Sequence, residues 1–119
     1  MTDSRKTALL ILEQCEKDKS FIDHALHNEL IKSQMDVKDK ALTSELVYGV
    51  IEKQLTLDFF IGELSNIPIN KLQSKVLNII RMALYQIIYL DRIPHSAACN
   101  EAVILSKKFA GLKAAGFVN

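Results

Sequence analysis

Helix-breaking residues are scarce throughout this chain. Its 119 residues include only 4 glycines and 2 prolines, whereas these two residue types together make up about 12% of an average protein. A turn-rich β-sandwich needs such residues at its many connections, so their scarcity argues against that architecture and favours long helices. Hydrophobic residues make up 49% of the chain and charged residues 24%, a balance typical of a folded domain and not of a disordered segment.

The spacing of apolar residues predicts five main helices and no strands. In the first helix, apolar residues recur every three or four positions, as one face of a helix requires, at Ala8, Ile11, Leu12 and Cys15. A second helix follows with Leu26 on its inner face. No stretch alternates apolar and polar residues as a strand would, so the sequence predicts an all-α fold.

The third predicted helix has the clearest end signals. Asp36 is suited to cap its N-terminus, and Asp39 would then lie near the positive end of the helix dipole. The apolar face of this helix continues to Leu64, with residues 54–56 as a candidate break. Pro68 ends the helical path, because a residue that precedes proline avoids the helical region.

The second half of the chain predicts a central helix followed by a further one. Residues Val76–Leu90 are apolar nearly all round, which is typical of a helix packed on by others. Arg81 lies in the middle of this segment, so we expect a carboxylate or helix-end carbonyls to pair with it. Pro94 fits the first turn of the next helix, and Gly111 would end it. Residues 114–119 resemble the start of a last helix that is truncated.

Charge and cysteine content narrow the functional classes. The formal net charge is +1, which predicts neither strong nonspecific nucleic-acid binding nor adsorption to a membrane. The N-terminus lacks the apolar block of a secretory signal, and the most apolar segment is shorter than a membrane span. Two cysteines do not form a disulfide framework. We therefore expect a cytoplasmic protein without a membrane partner.

A search for catalytic and metal-binding residues finds no site in this chain. Free cysteines are usually buried, and burial is the expectation for both Cys15 and Cys99. His24 and His27 lie three residues apart, but two ligands are too few for a metal site. His95 is better explained as a residue at a helix start. The glycines form no phosphate-binding loop, so the sequence predicts no metal, no cofactor and no catalytic residue here.

Basic residues near two helix ends are the remaining candidates for binding. Lys107 and Lys108 end one predicted helix, and Lys113 follows with aromatic residues nearby. Arg5 and Lys6 lie at the start of the first helix, which we expect to be flexible. Basic residues at a helix C-terminus usually complement the helix dipole, but basic and aromatic residues together also bind RNA phosphates and bases. Both explanations stay open from spacing alone.

Four blocks of the sequence resemble the NusB-like domain family. They occur in the family's order within the last two-thirds or so of the chain, from about Asp39 onward: Ala41–Val50, Arg81–Pro94, Asn100–Lys108 and Gly116–Asn119. The resemblance implies a fold of two packed three-helix bundles, here with the last helix truncated, and a role in binding RNA. It also makes residues 1–119 one NusB-like RNA-binding domain, with Arg5, Lys6, Lys107, Lys108 and Lys113 at the positions that match the family's RNA surface.

Two branches of this family differ in function. One is the free-standing transcription antitermination factor, which binds RNA together with a small-subunit ribosomal protein. The other is the N-terminal domain of the Sun/RsmB-type 16S rRNA cytosine-C5 methyltransferase. The Glu45–Gly49 block, with Tyr85-Gln86 and Leu90–Arg92, resembles the methyltransferase branch more closely. The resemblance therefore favours an accessory domain that positions 16S rRNA for a downstream catalytic domain.

The methyltransferase interpretation carries further expectations. The catalytic domain would bind S-adenosylmethionine and would contain the catalytic cysteine, which in the family follows a proline. Cys15 follows Gln14 and Cys99 follows Ala98, so neither matches it. We expect the chain to contact its own catalytic domain, and a homodimer to form through the Val76–Leu90 face left open by the truncated helix.

Overall fold

The protein is described by a computed structural model that covers residues 2–17, 22–32, 34–65 and 67–109. These residues form six α-helices and no strand, so the all-α prediction is confirmed. The helices are α1 (Thr2–Lys17), α2 (Ile22–Lys32), α3 (Val37–Glu52), α4 (Gln54–Leu64), α5 (Ser74–Tyr89) and α6 (His95–Phe109), with a 3₁₀ turn at Ile69–Lys71.

The chain divides into two compact units, Met1–Tyr48 and Gly49–Asn119. The first unit contains α1, α2 and most of α3, and the second contains the end of α3 with α4, α5 and α6. Each unit is thus built on three helices, as the NusB-like bundle predicts. The residues expected to begin a truncated last helix, 114–119, lie outside the described residues, as does Gly111.

In the first unit, α1 buries the apolar face that its spacing predicts. Ala8, Ile11, Leu12 and Cys15 are all buried, and α1 packs against α2. Each fully buried leucine or isoleucine side chain contributes roughly 1.5–3 kcal/mol relative to exposure. The helix period and the hydrophobic effect therefore suffice to explain why this segment is a helix.

The start of α3 confirms the predicted cap. The backbone N–H of Asp39 donates to Oδ1 of Asp36 at 2.9 Å, and the N–H of Lys40 donates to the Asp36 carbonyl at 3.0 Å. One turn further on, the buried hydroxyl of Thr43 lies 2.8 Å from the Asp39 carbonyl and 3.3 Å from the Ser4 carbonyl of α1. The acidic cap begins α3, and the Thr43 hydroxyl is satisfied without water.

The long third helix of the prediction is two helices, α3 and α4. Lys53 separates them with φ −99° and ψ 13°, one residue before the predicted break region. The N–H of Lys53 still donates to Gly49, and the N–H of Leu57 donates to Lys53, both at 2.9 Å. The break is therefore a kink that preserves helical hydrogen bonds at both ends. It explains six helices where five were predicted.

In the second unit, α5 is the central helix, as predicted. It packs against both α4 and α6, and it buries Leu77, Ile79, Met82 and Tyr85. Gln86 is also buried and donates from Nε2 to the Met82 carbonyl at 2.9 Å. The buried amide nitrogen of Gln86 thus has a hydrogen-bond partner within its own helix.

Two proline-containing connections flank α5. After α4 ends at Leu64, the Ser65 hydroxyl donates to the Ile67 carbonyl at 2.8 Å and accepts from the Ile67 N–H at 3.0 Å, just before Pro68. Pro94 lies immediately before α6 and not inside its first turn. Its carbonyl accepts from the N–H of Ala97 at 3.0 Å, which is the first hydrogen bond of the α6 turn. The missing N–H of Pro94 costs nothing at this position, because a residue before the first helical turn has no helical acceptor for it.

Candidate nucleic-acid interface

The C-terminal end of α6 presents the first group of candidate RNA-binding lysines. Ala98, Ala102 and Leu105 are buried and fix one face of α6 in the second unit. Lys107 lies about 200° around the helix from Leu105 and is exposed. The backbone of Lys108 belongs to α6, but its side chain lies outside the described residues, and so does the whole of Lys113. Of the three lysines, the structure therefore describes an accessible ammonium group for Lys107.

The N-terminal candidates, Arg5 and Lys6, lie within α1 in the first unit. Lys6 is half-buried, but Arg5 is only 2% exposed. The expectation that both lie in a flexible start of the helix is wrong for Arg5, because its position places it on the buried face of α1. Arg5 precedes Ala8 and Leu9 by three and four residues, and both of these are buried. Residues three and four positions apart lie on the same face of a helix, so the sequence spacing already indicated that Arg5 would be buried. Contact of Arg5 with RNA stays a prediction.

Arg81 has a carboxylate partner, as expected, and the structure identifies it as Asp58. Nε of Arg81 donates to Oδ1 of Asp58 at 2.7 Å, and Nη2 donates to Oδ2 at 2.8 Å. Nη1 also donates to Oδ1 of Asn78 at 3.0 Å. The bidentate ion pair links α5 to α4. Arg81 is only 5% exposed. The expectation of a structural, paired arginine is confirmed, so Arg81 does not add to the exposed positive charge.

A basic and aromatic cluster at the kink was not predicted. Nζ of Lys53 lies 5.6 Å from the ring centroid of Tyr89, and the Tyr85 and Tyr89 rings are 5.1 Å apart. Gly49 makes this packing possible, because a Cβ atom at that position would overlap the Tyr85 ring. The cluster joins residues far apart in sequence, so no local pattern reveals it.

The two cysteines differ in their surroundings. Cys15 is buried, as expected, and burial raises the pKa of its thiol. Cys99 is exposed, so the expectation of burial is wrong there. Cys99 is offset by about 100° around α6 from the buried Ala98, and this position outweighs the general preference of cysteine for the interior.

Among the described residues, no group of three or more histidine, cysteine or acidic side chains could hold a metal ion. His27 is exposed, the side chain of His24 lies outside the described residues, and His95 begins α6. No helix in the described part of the chain is long and apolar enough to cross a membrane.

Comparison with known proteins defines the class. The family model described as the NusB family matches residues 2–119, which include both three-helix units and the lysines near the C-terminus. The chain belongs to the NusB family.

Its relatives include both branches. The transcription antitermination protein NusB of Ruminiclostridium cellulolyticum is 36% identical over 117 residues, covering 98% of this chain and 81% of that protein. NusB of Bacillus velezensis is 41% identical over 99 residues, covering 82% of this chain and 70% of that protein. The probable ribosomal RNA small subunit methyltransferase B of Synechocystis is 39% identical over 107 residues, or 90% of this chain.

The comparisons do not favour the methyltransferase branch over the antitermination branch. This chain spans only 24% of the length of the Synechocystis methyltransferase, whereas it spans most of each antitermination relative. The Glu45–Gly49 block lies in α3 and Tyr85-Gln86 lies in α5, whereas Leu90–Arg92 lies in the turn that follows α5. Their resemblance to the methyltransferase branch is not matched by a higher overall identity, since the Bacillus velezensis NusB is 41% identical and the Synechocystis methyltransferase 39%.

Proposed function

We propose that the protein is an RNA-binding factor of the antitermination type, which acts in the cytoplasm and binds RNA together with a small-subunit ribosomal protein. The observation that carries this proposal is the similarity to antitermination proteins over most of their length, 81% of the Ruminiclostridium cellulolyticum protein. The binding groups would be amines that contact the phosphate backbone, because contacts to phosphate oxygens position a protein on a nucleic acid and come largely from lysine and arginine.

The end of α6 is the proposed point of contact. Lys107 is exposed, and α6 is held by its buried face on α5, so the ammonium group projects from a rigid helix. Lys108 and Lys113 follow in sequence and extend the positive charge. Because the net charge of the chain is only +1, RNA binding must depend on such a local concentration of lysines and not on overall attraction.

RNA binding is tested by titrating a labelled 16S rRNA hairpin with the protein at several salt concentrations, followed by fluorescence anisotropy. An unrelated RNA of equal length serves as the competitor. Replacing the three lysines together (Lys107→Gln, Lys108→Gln, Lys113→Gln) should lower the affinity and reduce the salt slope by about 2, since each lost phosphate contact contributes roughly 0.7–0.9. The matched control is Lys71→Gln, an exposed lysine on the 3₁₀ turn of the same unit. Equal slopes for the triple variant and the wild type would reject the site.

A second function is supported by the 39% identity to the Synechocystis methyltransferase. In this case the chain would position 16S rRNA for a catalytic domain that binds S-adenosylmethionine and methylates cytosine C5. The two functions are distinguished by the partner that the chain needs. A purified small-subunit ribosomal protein should tighten RNA binding in the first case. A separately purified catalytic domain should bind the chain, and gain methylation activity from it, in the second.

A further inference from the structure

The outward side of α4 carries two large apolar side chains and a carboxylate in one row. Leu55, Phe59 and Glu63 follow one another at intervals of four residues, which aligns them along the helix. Leu55 is 88% exposed, Phe59 is 63% exposed and Glu63 is also exposed. We call these three residues the α4 ridge. Neighbouring apolar side chains with this much exposure are more typical of an interaction site than of a solvated surface.

The packing of α4 within the second unit keeps the α4 ridge facing outward. Leu57 and Ile61 are buried, and each lies about 200° around the helix from the ridge residue two positions before it. Asp58 is held from α5 by two hydrogen bonds from Arg81, at 2.7 and 2.8 Å. Turning α4 to bury the ridge would expose the two core residues and break this ion pair. The exposure of the ridge is therefore a fixed property of the second unit.

Phe59 is held in place beside open space. Its ring meets that of Phe60 edge to face at a centroid distance of 5.6 Å, which restricts its rotation. Gly62 follows Phe59 by three residues and is exposed. Among the described residues, a Cβ atom built at Gly62 would meet only Ile69, at 3.7 Å, so a partner's side chain can approach the backbone there. Aromatic residues are enriched at the centres of protein–protein interfaces, and this arrangement suits such a centre.

Carboxylates lie at both ends of the apolar part of this surface. Glu63 forms one end of the ridge, and Glu52, at the end of α3, precedes Leu55 by three residues. The Glu52 side chain is 73% exposed, and its carboxylate lies 3.6 Å from the amine of Lys53. A surface pair of this kind is weak, so Glu52 remains available to a partner. Exposed carboxylates repel RNA phosphates and attract lysine and arginine.

Given the proposed function, on which this inference rests, we propose that the α4 ridge binds the small-subunit ribosomal protein. The contact is made by a segment of that protein that presents apolar side chains flanked by lysine or arginine. The apolar centre favours a protein over an RNA, and the two carboxylates favour a basic protein. Proteins that bind ribosomal RNA are rich in basic residues, because they neutralise its phosphates.

The α4 ridge is separate from the proposed RNA contact at the end of α6. Both surfaces belong to the second unit, in which α5 packs against α4 and against α6. The chain would therefore bind its protein partner and its RNA through different helices. Substitutions on the ridge should weaken binding of the ribosomal protein and leave RNA binding by the chain alone unchanged. Replacing the lysines of α6 should have the opposite effect.

The first test measures binding of the full chain to purified small-subunit ribosomal proteins, labelled and tested one at a time without RNA, by fluorescence anisotropy. The wild type should bind one of them. Leu55→Glu and Phe59→Glu should each raise its dissociation constant by about 30-fold or more, as expected at the centre of an interface. The matched control is Val37→Glu, which charges a residue of similar exposure (84%) in the first unit and should leave the constant unchanged. Circular dichroism confirms that each variant folds.

The second test addresses the carboxylates. Glu63→Lys should raise the dissociation constant by about 5-fold to 10-fold at about 50 mM salt, mainly through slower association, and by less at about 500 mM, where surface charges are screened. Glu63→Gln should have a smaller effect at low salt, because it removes the attraction without adding repulsion. The ridge variants are then titrated with the 16S rRNA hairpin alone, and each should bind it as tightly as the wild type does.

The results distinguish failure of this inference from failure of the proposed function. If no small-subunit ribosomal protein binds the wild type, the proposed protein partner is wrong and the inference is overturned with it. If one binds and the ridge variants bind it equally well, the inference alone is overturned. Weaker binding of the ridge variants to RNA alone would assign the ridge to RNA and would also overturn it.

Sedimentation velocity of the same samples tests whether a second copy occupies the ridge. A wild type that dimerises, and that Phe59→Glu makes monomeric, would assign the ridge to self-association and overturn the proposal. The homodimer expected through the Val76–Leu90 helix uses a different surface and would survive Phe59→Glu. That dimer stays a prediction.

Discussion

Removing the carboxylate of Asp58 should strongly destabilise the second unit. In Asp58→Ala the Arg81 guanidinium, 5% exposed, loses two hydrogen bonds of 2.7 and 2.8 Å and stays charged inside the protein. Removing one partner of a buried ion pair costs about 3–5 kcal/mol. The Asp58 side chain is 23% exposed, so water can replace part of the lost contact. We therefore expect a loss of roughly 2–3 kcal/mol in the free energy of unfolding.

Thermal and urea unfolding, followed by circular dichroism at 222 nm, measure this loss. For a chain of this size 1 kcal/mol corresponds to about 4 °C, so the Tm should fall by roughly 10 °C. The urea midpoint should fall while the slope stays constant, because the fold is unchanged. Asp91→Ala, which removes an exposed carboxylate in the turn after α5, is the matched control and should shift stability by less than about 0.5 kcal/mol.

The double variant Asp58→Leu, Arg81→Met tests whether the unpaired charge of Arg81 causes the loss of stability in Asp58→Ala. If the loss comes from a stranded buried charge, removing both charges should restore most of the stability lost in Asp58→Ala. The reasoning would be refuted by an Asp58→Ala variant as stable as the Asp91→Ala control. It would also be refuted by a double variant less stable than Asp58→Ala, since that result would mean that the arginine packs well without its partner.

Three further substitutions or treatments test other contacts. Gly49→Ala should lower the free energy of unfolding by about 1–3 kcal/mol, because the added Cβ overlaps the Tyr85 ring. In a Tyr85→Ala background this overlap is absent. Unfolding curves should then show Gly49→Ala to be neutral or stabilising, since alanine forms helices better than glycine. Asp36→Ala removes the 2.9 Å cap bond of α3 and should lower the Tm by about 4 °C, or about 1 kcal/mol, whereas Asp36→Asn should retain most of it. Ellman's reagent should titrate Cys99 at once and Cys15 only on unfolding. Burial raises the pKa of Cys15 in the folded state, so the buried neutral thiol contributes fully to the free energy of unfolding below the pKa of the unfolded thiol. This contribution is lost as pH rises through the higher folded-state pKa. In unfolding curves measured at increasing pH, Cys15→Ala should therefore lose less stability than the wild type at alkaline pH.

The sequence predicted most of the fold because the relevant signals are local. Apolar residues at helical spacing located α1 and α5, Asp36 marked the start of α3, and Pro68 and Pro94 marked the connections. The Arg81 prediction succeeded for a related reason, since a buried charge must find a partner. The identity of Asp58 as that partner could not be read from the sequence, because it depends on how α4 and α5 pack.

The candidate site was predicted less completely. Lys107 is exposed as an RNA-binding lysine requires, whereas Arg5 is buried on the apolar face of α1. General residue preferences suggested the opposite surroundings for Arg5 and Cys99, and in each case the angular position on the helix decided the outcome. The cluster of Lys53 with Tyr89 and the exposed face of α4 depend on tertiary packing, which no periodicity in the sequence reports.

The Arg81–Asp58 pair also limits how this sequence can diverge over generations. A lineage that loses Asp58 must tolerate a destabilised protein until position 81 changes as well, so the two positions should be inherited as a matched pair. By contrast, the hydroxyl of Ser106 bonds to the Ala102 carbonyl of its own helix at 2.9 Å, and its loss strands no side chain on another helix. Ser106 is fully buried, so a small residue should replace it in a single step, whereas positions 58 and 81 should change only together.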